Sequence, residues 1–191
     1  TKPFGFQSFR PGPGVGGHCI PIDPKYLSFK TRQIGQPVQF VELAQEINNS
    51  MPNYVVARIS ELMNKKEILL KNSKILILGV AYKKNIGDTR ESPAINICKE
   101  LLDEGAFLVI HDPKVSRNQM HKDLNKEPIK HFNERESNSL NMEGNWCEAF
   151  DLEKSFIDAD AVLILTEWNY YKNINWNETA KLMRKPSWLF D

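Results

Sequence analysis

With 191 residues, 41% of them apolar, the chain can bury a substantial core, either as one large domain or as a smaller domain with an appended arm. A formal net charge of +1, from 25 basic and 24 acidic residues, excludes both the basic field that holds nucleic acid and the polybasic face that holds a membrane surface. The longest apolar run, "ILILGVAY" from Ile75 to Tyr82, has the length of a buried strand and falls short of the roughly 20 residues that cross a bilayer. No signal-peptide pattern is present. Three widely spaced cysteines without a C-x-x-C argue against a disulfide framework or a zinc site and for a reducing compartment, the cytoplasm.

The first 21 residues hold five of the ten glycines and four of the eleven prolines, a density that excludes a continuous helix or a central strand. Asp23 followed by Pro24 reads as an N-cap with proline at the first helical position, opening a helix through about Ile34 that closes at Gly35. From Phe40, apolar residues at three- and four-residue steps (Ala44, Ile47, Met51, Val55, Ile59, Leu62) predict a long amphipathic helix, or two meeting near Pro52.

The pattern then changes to strand and helix in alternation. "KILILG" (Lys74 to Gly79) is a buried strand, "SPAINICKELLDEGA" a helix capped by Ser92 and ended by Gly105, and "FLVIHD" (Phe107 to Asp112) a second strand. "DADAVLILTEW" supplies a third strand ending near Thr166, "NWNETAKLMRK" a helix and "SWLFD" a last strand. Residues 114–150 are polar and weakly patterned, a variable excursion expected to hold one short strand or helix. Such alternation predicts an α/β fold: a long helical linker followed by a doubly wound, Rossmann-like parallel sheet. The expected division is a glycine-rich loop (1–22), a central helical segment (23–70) and a Rossmann-like domain (71–191).

"FRPGPGVGGHCIPIDP" (Phe9 to Pro24) matches G-x-G-x-x-G at Gly12, Gly14 and Gly17. The dinucleotide fingerprint, however, needs an apolar strand before the first glycine and a helix at the last, so that the pyrophosphate meets the helix N-terminus. Neither flank is available: "GFQSFRP" precedes, and "CIPI" with Pro21 follows. The one strand, glycine and helix in the right order is "ILILGVAYKKNIGDTRESPAI", with a single glycine and about a dozen loop residues. Its phosphate cradle is degenerate. Lys83, Lys84 and Arg90 nevertheless stand at the carboxyl end of the first strand, where open α/β sheets bind ligands, and such cations suit a diphosphate. The plainer reading makes Lys83 and Lys84 solvated loop charges.

Cys19 closes the glycine stretch just before the helix opening at Asp23. Flexible glycines let a substrate approach a thiol, and a helix N-terminus favours negative charge near it. The competing reading is a structural Cys19, a small buried hydrophobe in a nucleotide-binding module without chemistry. Cys98 and Cys147 are read as buried hydrophobes, Asp23 alone as a plain N-cap, and His18 alone as a packing or hydrogen-bonding residue. No residues stand at metal-ligand spacing around His18 and Cys19.

"GPGVGGHCIPIDP", the helical segment after it, "ILGVAYKKNIGDTRESPA", "DEGAFLVIHDPKV", "AVLILTEW" and "KPSWLFD", in this order over nearly the whole chain, resemble the UDP-glucose/GDP-mannose dehydrogenase family. These are NAD-dependent enzymes that oxidise carbon-6 of a nucleotide sugar to a carboxylate. The resemblance implies that Cys19 is the catalytic nucleophile, passing through a thiohemiacetal and a thioester, and that Asp23 is its partner in handling water or protons. It also implies that Arg10, Pro11, Gly12, Pro13, Gly14, Val15 and Gly16 wrap the sugar and nucleotide, that Tyr82 and Lys83 contact substrate, and that Arg90 contacts the cofactor. A UDP-sugar substrate, a homodimer through residues 40–66 and a role in surface polysaccharide precursors follow from it as well. The loop is more similar to enzymes of UDP-N-acetylhexosamines, whereas "GDTRES", "DPKV" and "TEW" are more similar to UDP-glucose dehydrogenases. The family's amino-terminal half, with the NAD fingerprint and a catalytic lysine, has no counterpart here, nor does the Gly-Arg that follows the final "FD". The resemblance therefore implies a carboxyl-terminal portion that does not turn over alone, with NAD bound mainly by the other half.

Overall fold

The computed structural model describes residues 4–5, 11–129 and 142–191. Its described residues form a mixed α/β structure with a five-stranded, all-parallel sheet in the order β3-β2-β1-β4-β5. The strands are β1 (Lys74–Leu78), β2 (Phe107–His111), β3 (Trp146–Glu148), β4 (Ala161–Ile164) and β5 (Trp188–Phe190). All five residues of β1 are buried, as the centre of a parallel sheet covered on both faces requires. Their unbroken apolar run is the sequence signature of that position. The order reverses between β1 and β4, so the crevice beyond their carboxyl ends is the topological switch point.

Two helices precede the sheet, α1 (Asp23–Gln33) and α2 (Gln39–Asn64). Ile22, not Asp23, occupies the N-cap position of α1, and Asp23 is the first helical residue, with no side-chain cap bond at this end. The acid still stands in the first turn, where it complements the helix dipole. Pro52 lies inside α2 without dividing it, so the one-helix alternative holds. Only the carboxyl-terminal half of α2 joins the core, through Val56, Ile59 and Met63, where it packs against α3 (Pro93–Asp103). Along its other face α2 leaves Phe40, Leu43, Ile47 and Tyr54 exposed, at steps of three, four and seven residues.

α3 buries Ala94, Ile95, Ile97, Cys98, Leu101 and Leu102. Ser92 is its N-cap residue, as expected, but the Ser92 hydroxyl donates to the Val80 carbonyl at 2.8 Å instead of accepting from the helix. That bond ties the helix start to the end of β1. The weakly patterned excursion holds both a helix, α4 (Arg117–Leu124), and β3; its residues 130–141 lie outside the described ones. Trp146 on β3 is fully buried and donates from Nε1 to the Lys126 carbonyl at 2.8 Å. Buried tryptophan with a satisfied N–H explains why a polar stretch still supplies an edge strand. Two short helices complete the order, α5 (Leu152–Ser155) and α6 (Trp176–Leu182), with a 3₁₀ turn over Asn169–Asn173 between β4 and α6.

Asp160 pins the amino-terminal edge of the sheet. It is almost fully buried, accepts from the Lys74 amide at 2.8 Å and pairs with Arg184 at 3.1 Å. Desolvation pushes its carboxyl above the usual range, opposed by the Lys74 amide and the Arg184 charge.

Leu76 is wholly buried at the middle of β1, where a void cannot readily collapse. Leu76→Ala should destabilise the protein by about 3 kcal/mol, read from the midpoint shift in urea unfolding at unchanged slope.

Candidate active site

From residue 11 the glycine-rich segment runs as a loop against the segment joining β1 to α3, residues 79–92. Three observations fix that contact. The Gly17 amide donates to the Arg90 carbonyl at 3.0 Å. A Cβ placed at Gly16 would stand 2.7 Å from Cβ of Tyr82 and 2.8 Å from the Glu91 carbonyl oxygen, closer than side chains tolerate. Gly17 has a φ of +101° and lies against the Tyr82 ring. The two glycines are therefore needed for the approach of one backbone to another segment, a packing role distinct from cradling a phosphate. Gly14 extends the seat to Pro93 and the Asn48 carbonyl, so the loop passes between the domain and α2.

Beyond Gly17 the chain turns into α1. The Cys19 carbonyl accepts from the Ile22 and Asp23 amides at 3.0 and 2.8 Å, which folds the cysteine back over the helix start. Its thiol is exposed, with Sγ 3.7 Å from Nδ1 of His18. Arg90 lies nearby, its pKa raised chiefly by hydrogen bonding to Asp88. Cys19 is thus not buried among the described residues. Cys98 and Cys147 are buried, as expected, and desolvation pushes both thiols up to about 12.

Of the expected site residues, the structure brings Gly14, Gly16, Tyr82 and Arg90 to one junction, with Cys19 two residues beyond it. Pro13 is half-buried beside them, while Pro11, Gly12 and Val15 face solvent. Arg10 lies outside the described residues. Asp23 is exposed on the first turn of α1. Lys83 extends over the Tyr82 ring, 5.3 Å from its centroid, a cation–π arrangement that holds both at the loop tip.

The other two cations at the strand end are matched by carboxylates. Lys84 pairs with Glu167 at 2.9 Å, and Arg90 is held by Asp88 through Nε at 3.0 to 3.1 Å and Nη2 at 2.6 Å. Arg90 holds the Asp88 carboxyl below its usual range, chiefly by these hydrogen bonds. In this conformation the guanidinium expected to meet a cofactor is directed at its own loop.

Sequence reasoning missed three residues that build this junction: Asp112, Thr166 and Trp168. The Thr166 hydroxyl donates to the Ala81 carbonyl at 2.6 Å, and Asp112 accepts from the Val80 and Ala81 amides at 2.8 and 3.1 Å. A carboxylate directly after the second strand was the available signal for Asp112; the others are ordinary loop residues until the strands are paired. His111, next to it, is partly buried, which lowers its pKa, and its Nδ1 lies 3.0 Å from the Tyr171 hydroxyl. Because that hydroxyl donates its proton to the His111 carbonyl at 2.9 Å, the ring nitrogen is the donor to it.

These residues do not fit a dinucleotide. The turn after β1 has Gly79 alone, where a side chain would collide with Thr166, and the amides that would face a pyrophosphate are occupied by Asp112. No group of three or more His, Cys, Asp or Glu able to hold a metal occurs among the described residues, and no described helix is long and apolar enough to cross a membrane.

Exposure and the thiol environments make Cys19 the accessible sulfur. Iodoacetamide at pH 7.5 should add one adduct per native chain by intact mass, and Cys19→Ser should add none; labelling of Cys98 or Cys147 before unfolding would contradict the packing.

Comparison with known proteins agrees with this architecture. The family model for the UDP binding domain of the UDP-glucose/GDP-mannose dehydrogenases matches residues 76–191, and that for the family's central domain matches residues 1–50. UDP-glucose 6-dehydrogenase 4 of Arabidopsis thaliana is 33% identical over 186 residues, covering 93% of this chain and 37% of its own. A UDP-N-acetyl-D-mannosamine dehydrogenase of Methanococcus maripaludis is 34% identical over 176 residues, 92% of this chain and 34% of its own. Among solved structures, a UDP-D-ManNAc dehydrogenase from Pyrococcus horikoshii superposes with a TM-score of 0.70 at 28% identity, over 92% of this chain and 34% of that one. The chain thus spans about a third of the length of the relatives it matches. By its matched domains, its sheet and its relatives, the chain belongs to the UDP-glucose/GDP-mannose dehydrogenase family.

Proposed function

We propose that the chain forms part of an NAD-dependent UDP-sugar 6-dehydrogenase in which Cys19 is the covalent nucleophile. The observation that carries this reading is an exposed thiol at the end of a loop seated on the nucleotide-domain residues Tyr82 and Arg90. In the proposed chemistry the Cys19 sulfur adds to the carbon-6 aldehyde, forming an S–C bond while the aldehyde oxygen takes a proton. Two-electron oxidation of that thiohemiacetal to a thioester requires NAD as acceptor. Water then breaks the C–S bond, releasing the carboxylate and returning the thiol, with Asp23 handling the proton. The aldehyde itself arises from an earlier two-electron oxidation of the alcohol. Because the described residues hold no dinucleotide cradle, NAD is assigned to the amino-terminal portion of such enzymes, with Arg90 contacting it across a cleft. Residues 1–191 alone are then not expected to turn over.

The proposed division is a substrate loop (1–22), a helical segment (23–70) and a UDP-sugar domain (71–191). Arg10, Pro11, Gly12, Pro13, Gly14, Val15 and Gly16 wrap the sugar and nucleotide, while Tyr82 and Lys83 take the nucleotide side. Lys83 already lies over Tyr82, and its charge suits a diphosphate. The loop sequence favours a UDP-N-acetylhexosamine over UDP-glucose, and the product feeds surface polysaccharide precursors. Three free cysteines, the catalytic Cys19 among them, suit the cytoplasm. The exposed stripe Phe40, Leu43, Ile47 and Tyr54 on α2 supports a homodimer through the central helix.

Full-length enzyme carrying Cys19→Ser should lose steady-state double oxidation of the UDP-sugar by at least about a thousandfold, followed as NADH at 340 nm, while keeping UDP affinity. Undiminished turnover would refute the assigned mechanism. For the interface, Ile47→Asp in the full-length protein should convert a dimer to a monomer in sedimentation velocity; an intact dimer would place the interface elsewhere.

A further inference from the structure

Asp112 stands at the carboxyl end of β2, and its two oxygens accept five hydrogen bonds. Oδ2 takes the Val80 amide at 2.8 Å, the Ala81 amide at 3.1 Å and Nε1 of Trp168 at 3.2 Å. Oδ1 takes the Lys114 and Val115 amides at 2.9 and 3.0 Å. A carboxylate offers about four lone-pair sites, so this one is saturated by protein donors. Val80 and Ala81 follow Gly79 in the turn after β1, the place where a dinucleotide-binding sheet aims amides at a pyrophosphate.

We propose that Asp112 is a built-in anion that replaces the phosphate at this turn, converting a cofactor cradle into a rigid seat that positions Tyr82 and Lys83 for the UDP moiety. The proposal rests on the UDP-sugar reading above. Tyr82 directly follows Ala81, whose amide is held by Asp112 and whose carbonyl is held by Thr166. Val80 is held likewise, its amide by Asp112 and its carbonyl by Ser92. Farther on, the Tyr82 amide donates to the Asp88 carbonyl at 3.0 Å, closing the loop on itself. Both peptide groups leading into Tyr82 are thereby fixed on each side. The Tyr82 side chain is also the surface against which Gly16 and Gly17 pack, so the same carboxylate sets the seat of the Cys19 loop. Asp112 makes no substrate contact in this account; with its oxygens filled, it is unsuited to receive a ribose hydroxyl, the usual task of an acid after the second strand.

The test compares wild type, Asp112→Asn and Thr166→Val in the full-length enzyme. Asparagine keeps the shape but has one oxygen, so its NH₂ must face N–H donors on one side or the other. Thr166→Val removes the second clamp on Ala81 at nearly constant volume. UDP titrated calorimetrically, at a temperature where each protein is fully folded, should bind Asp112→Asn about tenfold more weakly and Thr166→Val several-fold more weakly. KM for the UDP-sugar should rise in parallel, and kcat should fall less than KM rises. Wild-type UDP affinity in a folded Asp112→Asn, whatever its Tm, would reduce Asp112 to a stability element and overturn the proposal. Should Asp112→Asn not fold, unchanged UDP affinity in Thr166→Val overturns it. Failure of the wild-type protein to bind UDP would instead defeat the nucleotide-sugar reading on which it stands.

Discussion

The close approach of two backbones, Gly16 and Gly17 against Tyr82 and the Arg90–Glu91 peptide, is the constraint that everything at the site obeys. A Cβ at Gly16 would meet both a side chain and a carbonyl oxygen, so only glycine allows the loop to lie there. Two residues later the chain must turn, and it does so through the Cys19 carbonyl and the first amides of α1. The thiol thus has a fixed origin on one side and a fixed helix on the other, without contact of its own sulfur to the sheet. Its exposure follows from that suspension. The pattern Gly12, Gly14, Gly17 that imitates a dinucleotide fingerprint is met by a different physical need, and the residue that the fingerprint does not specify, Gly16, is the most tightly confined of the four.

The sheet supplies the other half of the seat. Parallel strands need long crossovers, so every strand end at the carboxyl edge opens into a loop, and loops from β1, β2 and β4 converge where the strand order reverses. Asp112, Thr166 and Trp168 come from the second and third of these loops and close on the first. This explains how an unusually short glycine signal, Gly79 alone, can sit in a sheet of this class. The turn does not have to open for a phosphate, because its amides are already satisfied, and unsatisfied amides at a buried turn would be costly.

Much of this architecture was legible in the residues. Unbroken apolar runs at β1 and β2 identify buried parallel strands, and Ser92, Pro93 and Gly105 bracket α3 because helix ends must satisfy or dispense with backbone groups. What escaped was set by tertiary partners. Asp23 was read as a cap because Asp-Pro usually is one, yet the preceding turn around Cys19 satisfies the first amides and moves the boundary back to Ile22. Ser92 was placed correctly for the wrong reason, its hydroxyl being drawn to Val80 across the loop. Trp146 makes a strand in a polar stretch because one buried indole outweighs its neighbours. At the site, the contiguous motif exposed Cys19, Tyr82 and Lys83, while Asp112 and Thr166 lie 30 and 84 residues from the Tyr82 that they help fix. Only strand pairing brings them there.

The electrostatics of the junction add a selectivity that net charge conceals. Three cations crowd the end of β1, but Lys84 is matched by Glu167 and Arg90 by Asp88, which leaves Lys83 over Tyr82 as the charge presented at the loop tip. An anion arriving at Arg90 must compete with a bidentate carboxylate two residues away, whereas one arriving at Lys83 competes with a ring face, a weaker partner. On the proposed reading, a diphosphate is drawn first toward Lys83 and Tyr82, on the nucleotide-domain side of the loop. The proposed contact of Arg90 with the cofactor would require the ligand to displace Asp88 from the guanidinium. In that reading the charges differ in availability while the backbone of the loop stays held by its hydrogen bonds.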